Sequence, residues 1–182
     1  MPLAGGQGRQ GTIAPPSRLA RLELNRQRAS PYGRPQQDPS DRETLIAALN
    51  DDLAREYQAI IAYTAYSQTL KGAQYMAIAK ELEKHAGEEL KHALIIAKQI
   101  DYLGGTPTVT PKVVKMSDNA EDMLRFDLDN EVETIRAYRE RVRQAESLTE
   151  YALAEQLRQI LVEEQEHMTD LADALGIDAP KI

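Results

Sequence analysis

The segments EELKHA (residues 88–93) and LVEEQEHMTDL (residues 161–171) each contain the pattern Glu-x-x-His. In the first, Glu89 precedes His92; in the second, Glu164 precedes His167. A further glutamate stands upstream of each at one and the same interval, Glu56 before Glu89 and Glu131 before Glu164. Residues three apart share one face of a helix. The repeated spacing therefore predicts four helices that aim four carboxylates and two imidazoles at one point.

The heights agree. Gly72 falls at the middle of the stretch between Glu56 and Glu89. At about 1.5 Å per residue, both glutamates stand roughly 25 Å from that turn on neighbouring helices. Ser147 falls likewise at the middle of the stretch between Glu131 and Glu164. The faces agree too. Leu49, Glu56, Tyr63 and Leu70 form a heptad row, as do Leu82, Glu89, Ile96 and Leu103. Leu124, Glu131 and Tyr138 form a third, and Leu157, Glu164 and Leu171 a fourth. Each acidic residue sits on the apolar seam of its helix.

Outward from these rows, the chain divides into helices A to D. Ser40 and Glu43 read as a capping box for helix A, which runs from Asp41 to about Leu70. Helix B runs from about Ala73 to Leu103 and stops at Gly104-Gly105. Residues 106–117 contain two prolines and form a connection. Ser117 or Asp118 is expected to cap helix C, which ends near Glu146. Helix D runs from about Thr149 to just before Gly176. Short A–B and C–D loops make antiparallel hairpins, and the longer B–C segment crosses between them. The fold class is all-α, a four-helix bundle with one long crossover.

Residues 1–38 are rich in Gly, Pro, Gln, Ser and Arg and read as a disordered basic tail, with residues 39–182 as the bundle. Residues 1–40 carry six arginines against Glu23 and Asp38, about +4, which leaves about −11 of the net −7 on the rest. An acidic body speaks against nucleic acid as its main ligand and suits cations. The basic tail leaves a nucleic-acid or docking role open. There is no cysteine, which excludes thiolate zinc sites, iron–sulfur clusters and a cysteine nucleophile. No apolar run is long enough to span a membrane, and the cytoplasm is the expected location.

The chemistry follows from burial. One Glu-x-x-His motif alone reads as a surface ion pair. Four glutamates in one apolar core do not, because an unpaired buried carboxylate costs several kcal/mol. No lysine or arginine appears on the core rows near them. Two divalent cations supply +4 against the four carboxylates and leave the histidines neutral. Hard oxygen donors with imidazole suit Fe or Mn.

LNDDLAREYQAIIAY around Glu56, EELKHA, LRFDLDNE ending at Glu131 and LVEEQEHMTDL resemble the matching pieces of bacterioferritin and its ferritin-like relatives. The resemblance covers Asp41 to about Leu175. It implies a ferritin-like bundle with a di-iron ferroxidase centre inside each subunit. Glu89 and Glu164 would bridge the metals, Glu56 and Glu131 would be terminal ligands, and His92 and His167 would each cap one ion. Fe(II) with O2 or H2O2 would be the reactants, for storage or detoxification. A homo-oligomer is implied: a dodecamer, 24-mer or dimer. Leu90 stands where bacterioferritin has its haem-binding methionine, so haem is not expected. The stretch from His167 to Ile182 is too short to finish helix D and add another, so no fifth helix is expected. Two other readings use the same residues: a peroxide-scavenging dimetal protein like rubrerythrin or manganese catalase, and a DNA-protecting cage using the arginine tail.

Around the six ligands, Tyr63 and Tyr138 each lie two helical turns along the core face, one heptad after Glu56 and Glu131. Tyr63 is the candidate catalytic residue, as electron donor or hydrogen-bonding group. Glu88 and Glu163, one helical turn before His92 and His167, compete with Asp52 and Asp127 to hold the second ring nitrogens. His85 breaks the repeat, since Ile160 is its counterpart.

Overall fold

The computed structural model describes residues 39–182; the expectation of a disordered tail over 1–38 lies outside the described residues. Among the described residues four helices follow one another: α1 (Pro39–Thr69), α2 (Met76–Tyr102), α3 (Ala120–Ser147) and α4 (Tyr151–Leu175). A single 3-10 turn, Ala73–Tyr75, leads into α2. The principal packed pairs are α1–α2, α3–α4, α1–α3 and α2–α4. This is the expected all-α four-helix bundle, two antiparallel hairpins joined by a crossover.

The ends of the helices differ from expectation in three places. Pro39 and Ser40 are already helical, so Ser40 lies inside the first turn, where its carbonyl accepts from Thr44 Oγ1 at 2.8 Å. Proline suits that turn because its missing N–H has no partner to lose there. The cap of α3 is Asn119, whose side chain accepts from the Glu121 amide at 2.8 Å. Ser117 instead supports the cap, its hydroxyl accepting from the Asn119 amide at 3.0 Å. The α3–α4 turn places Thr149 at φ 58°, which delays α4 to Tyr151. Gly104 (φ 89°) and Gly176 (φ 67°) end α2 and α4 in the left-handed region, as glycine permits.

The crossover is a strap laid along α1. Asn50 Nδ2 donates to Thr106 O (3.1 Å) and its Oδ1 accepts from Thr108 N (2.6 Å). Lys112 N donates to Ala54 O (2.9 Å), and Gln58 Nε2 to Val113 O (2.7 Å). Tyr66 Oη donates to Lys115 O. Positions 50, 54, 58 and 66 form one stripe of α1. The strap thus finds partners for backbone groups that have no helix of their own.

Two apolar clusters fill the bundle. One joins Leu49, Leu53, Ile96, Ile100, Leu157 and Ile160; the other joins Tyr63, Leu82, Leu124, Leu128, Ile135 and Leu171. Each buried leucine or isoleucine contributes about 1.5–3 kcal/mol. The seam between the clusters is polar, and it holds the candidate site.

Candidate metal centre

All six sequence-derived candidates meet in that seam. Glu56 on α1, Glu89 and His92 on α2, Glu131 on α3, and Glu164 and His167 on α4 are each at most 2% exposed. Their donor atoms form two groups: Glu56, Glu89, His92 and Glu164, and Glu89, Glu131, Glu164 and His167. Within each group the atoms lie within 4.8 Å of one another, and both groups share Glu89 and Glu164.

The imidazoles face inward by Nδ1. His92 Nδ1 stands 3.1 Å from Glu89 Oε2, 3.2 Å from Glu164 Oε1 and 3.5 Å from Glu56 Oε2. His167 Nδ1 stands 2.9 Å from Glu89 Oε1 and 3.4 Å from Glu164 Oε2. Their outer nitrogens are held by acidic residues, but across helices. His92 Nε2 pairs with Glu163 on α4 (3.0 Å), and His167 Nε2 with Glu88 on α2 (3.1 Å). Tyr63 Oη donates to Glu131 Oε1, and Tyr138 Oη to Glu56 Oε1. Each tyrosine thus crosses from α1 to α3 or back and fixes the carboxylate of the opposite hairpin.

The remaining pair of aspartates is asymmetric. Asp52 is bound by Arg55 and by Arg141 Nε, the latter at 2.7 Å. Neither arginine lies on a core seam, so the heptad rows carry no sign of these cations. Asp127, the repeat counterpart of Asp52, is 2% exposed, and its Oδ2 has no hydrogen-bond partner.

Electrostatics shows what the arrangement requires. Burial first, then the charges of Glu89 and Glu164, push Glu56 well above the ordinary carboxylate range. Burial, Glu164 and Glu89 do the same to Glu131. Burial also works against Glu89, yet hydrogen bonds from His167 and His92 outweigh it and hold Glu89 low. Burial lowers both histidines, but hydrogen bonds to glutamates dominate: His92 is pushed far up by Glu164, Glu56 and Glu89, and His167 to about 12 by Glu164 and Glu89. Without cations, the environment therefore favours protonated forms of His92, His167, Glu56 and Glu131. Tyr63 and Tyr138 keep their protons well beyond the usual phenol range, chiefly through burial.

The proton arrangement is incomplete. Glu56 Oε2, Glu89 Oε1, Glu131 Oε2, both oxygens of Glu164 and His167 Nδ1 are buried without a well-formed hydrogen bond. Orphaned buried acceptors of this kind are rare in folded proteins. Six unsatisfied donor atoms around one point are what a pair of oxygen- and nitrogen-coordinated cations would satisfy. The residues present therefore fit such a group. A pocket between α1 and α3, lined by Ala59, Asn130 and Thr134, reaches Glu56, Glu89, Glu131 and Glu164.

Known proteins agree with this architecture. Bacterioferritin of Brucella melitensis biotype 1 is 26% identical over 136 residues, 73% of this chain and 83% of that protein. Bacterioferritin of Desulfovibrio desulfuricans is 29% identical over 126 residues, 69% of this chain and 70% of that protein. Among solved structures, a ferritin-like, diiron-carboxylate protein from Bacillus anthracis is 37% identical, with a TM-score of 0.72 over 74% of this chain and 97% of its own. A dodecameric thioferritin, the bacterioferritin-related protein from Bacteroides fragilis, is 29% identical, with a TM-score of 0.69 over 74% of this chain and 86% of its own. The ferritin-like domain pattern matches residues 46–178, and the chain belongs to that family.

Proposed function

We propose that this chain is a ferroxidase, with Fe(II) as substrate and O2 or H2O2 as oxidant. The observation that carries the reading is the convergence of orphaned, buried oxygens from Glu56, Glu89, Glu131 and Glu164 between two inward-facing Nδ1 atoms. Glu56 and His92 would hold one ion, Glu131 and His167 the other, and Glu89 and Glu164 both. The oxygen-rich donor set suits Fe or Mn. The paired ions would supply two electrons at once, so that two Fe(II), one O2 and two protons give two Fe(III) and one H2O2. With H2O2 as oxidant, two Fe(II) and two protons give two Fe(III) and two water molecules.

The chain's own residues do the rest. Glu88 and Glu163 fix the ring orientation of His167 and His92, which keeps each Nδ1 aimed inward. Tyr63 and Tyr138 hold the two terminal carboxylates by their hydroxyls. Protons on His92, His167, Glu56 and Glu131 leave as cations enter, so binding is coupled to proton release. The pocket past Ala59, Asn130 and Thr134 gives small ions and O2 a short approach to the carboxylates. The dodecameric relative from Bacteroides fragilis supports a closed homo-oligomer as the working form.

Anaerobic titration with Fe(II) followed by an O2 pulse tests the reading. Two Fe(II) per chain should bind and be oxidised with an Fe:O2 ratio near 2, and Glu89→Ala should lose both. Oxidation by Glu89→Ala as fast as by the parent would sink the proposal. An H2O2 pulse in a parallel cell identifies the preferred oxidant.

A further inference from the structure

His85 is an anomaly. It is fully buried, its Nε2 lies 3.2 Å from Asp170 Oδ2, and its Nδ1 is buried without a partner. Its ring stacks on that of His167, with centroids 4.0 Å apart and planes inclined by 28°. A buried histidine that served only packing would not leave Nδ1 an orphan.

Two sets of possible ligands meet in this residue. His85 with Glu81 and Asp170 forms one, and His85 with Glu88 and His167 forms another; in each, the donor atoms lie within 4.8 Å of one another. The first set faces a groove between α2 and α4 lined by Gln74, Ile78, Glu81, Asp170 and Asp173. The second leads to the His167 half of the buried centre. We propose that Glu81, His85 and Asp170 form a third divalent-cation site, a stopping place between the groove and that half.

The internal repeat supports this independently. Shifting by the repeat maps Glu81 to Gln156, His85 to Ile160 and Asp170 to Ile95. Three potential ligands thus gather at one half of the bundle where the other half has an amide and two apolar side chains. At the other half, Gln156 is already paired with Gln99 at 2.7 Å. A repeat retained for packing alone gives no reason for all three changes to coincide in space.

The geometry suits a cation. With metal–ligand bonds near 2.1 Å, two donors at a right angle stand about 3.0 Å apart, close to the His85–Asp170 separation of 3.2 Å. One imidazole and two half-exposed carboxylates leave open positions for water, so the site should bind first-row divalent ions more weakly than the buried pair. Lys84 Nζ stands 3.9 Å from Glu81 and 3.7 Å from Glu88, so a bound cation would compete with this ammonium for Glu81.

The inference rests on the dinuclear reading, and the test separates the two. Chelator-treated full-length protein is titrated anaerobically with Co(II), and bound metal is counted per chain by equilibrium dialysis against free Co(II). The parent should bind three ions, and His85→Gln and Asp170→Asn should each bind two. Asp170 is partly exposed, so its replacement leaves folding intact and keeps the result interpretable. A parent that binds two overturns the third site and leaves the dinuclear reading standing. Three ions in the parent and in both variants also overturns it, because the extra ion then lies elsewhere. If Glu89→Ala leaves the count unchanged, the dinuclear reading fails; loss of one ion in Asp170→Asn would then still support the third site.

Discussion

Glu88 holds His167 Nε2 at 3.1 Å across the α2–α4 interface and leaves His92, one turn along its own helix, to Glu163. Each hairpin thus orients the other's imidazole, so the two halves of the site cannot be set independently. Loss of such a supporting carboxylate typically costs a metal site 10–100-fold in affinity. Glu88→Ala should weaken one ion of the pair by about that factor and leave the other nearly unchanged, with Glu163→Ala weakening the opposite ion. Competition with a chromophoric chelator reads both constants. Equal weakening of both ions by one variant would refute the crossed arrangement.

Tyr63 and Tyr138 make the same bond in opposite directions, but their neighbours differ. Tyr63 lies edge-on to both His85 and His167, with centroids 5.6 Å and 6.1 Å away. Tyr63→Phe should keep the bound Fe(II) count and slow oxidation about tenfold or more. Tyr138→Phe should slow it less, since no such ring contact joins it to a histidine among the described residues. Stopped-flow absorbance after mixing with O2 compares the two. Equal rates would assign both hydroxyls a purely positioning role.

The two repeat-related aspartates should respond oppositely to neutralisation. Asp52 compensates Arg55 and Arg141, whose side chains are only 11% and 13% exposed. Asp52→Ala leaves Arg141 without a carboxylate and Arg55 with Asp51 alone, and should destabilise the fold by about 3 kcal/mol. Burial, followed by the charge of Glu89, raises the pKa of Asp127 well above 3.8, with no cation to oppose them. A raised carboxylate contributes its full stability below its unfolded pKa and loses it as pH climbs through the folded value. Asp127→Asn removes that loss and should leave the metal-free protein as stable as the parent at pH 7, or more so. Urea unfolding in chelator measures both; a strongly destabilised Asp127→Asn would reveal a partner for that carboxylate.

What is legible in the sequence is what helix periodicity carries. Glu56, Glu89, Glu131 and Glu164 fall on apolar rows at equal heights, and a buried site at the bundle's waist follows without knowledge of any contact. The crossed pairing of Glu88 and Glu163 is not legible, because residue spacing says which groups share a helix face but not which way an imidazole turns. Arg141 is far from Asp52 along the chain and off the core row, so periodicity assigns it no role. The prolines mark the strap as a connection. Its seat on Asn50, Ala54 and Gln58 depends on backbone groups, which have no sequence signature. Asn119 displaces the expected caps because three polar residues in succession, Ser117, Asp118 and Asn119, are each capable of capping.

Metal-free and metal-loaded protein should depend on pH with different slopes. In the metal-free fold, hydrogen bonds to glutamates raise His167 to about 12 and His92 far above its ordinary value. Histidines raised in this way contribute stability that is complete below the unfolded pKa, about 6.5, and is lost as pH rises toward the folded value. Glu56 and Glu131, also raised, act in the same direction from about 4.5 upward. Glu88 and Glu89, which are lowered, have given their full contribution by the time pH passes their unfolded value, so they add no slope at neutral pH. Between pH 6.5 and 8.5 the chelator-treated protein should therefore lose on the order of 1.4 kcal/mol per pH unit for each histidine. Cations require the deprotonated ligands, so their binding strengthens over the same interval and should offset or reverse that loss. Urea unfolding at fixed protein concentration, with chelator and with Fe(II) under anaerobic conditions, compares the two slopes. A chelator-treated protein that gains stability from pH 6.5 to 8.5 would mean that His92 and His167 are neutral in the metal-free fold, and that cations enter without displacing their protons.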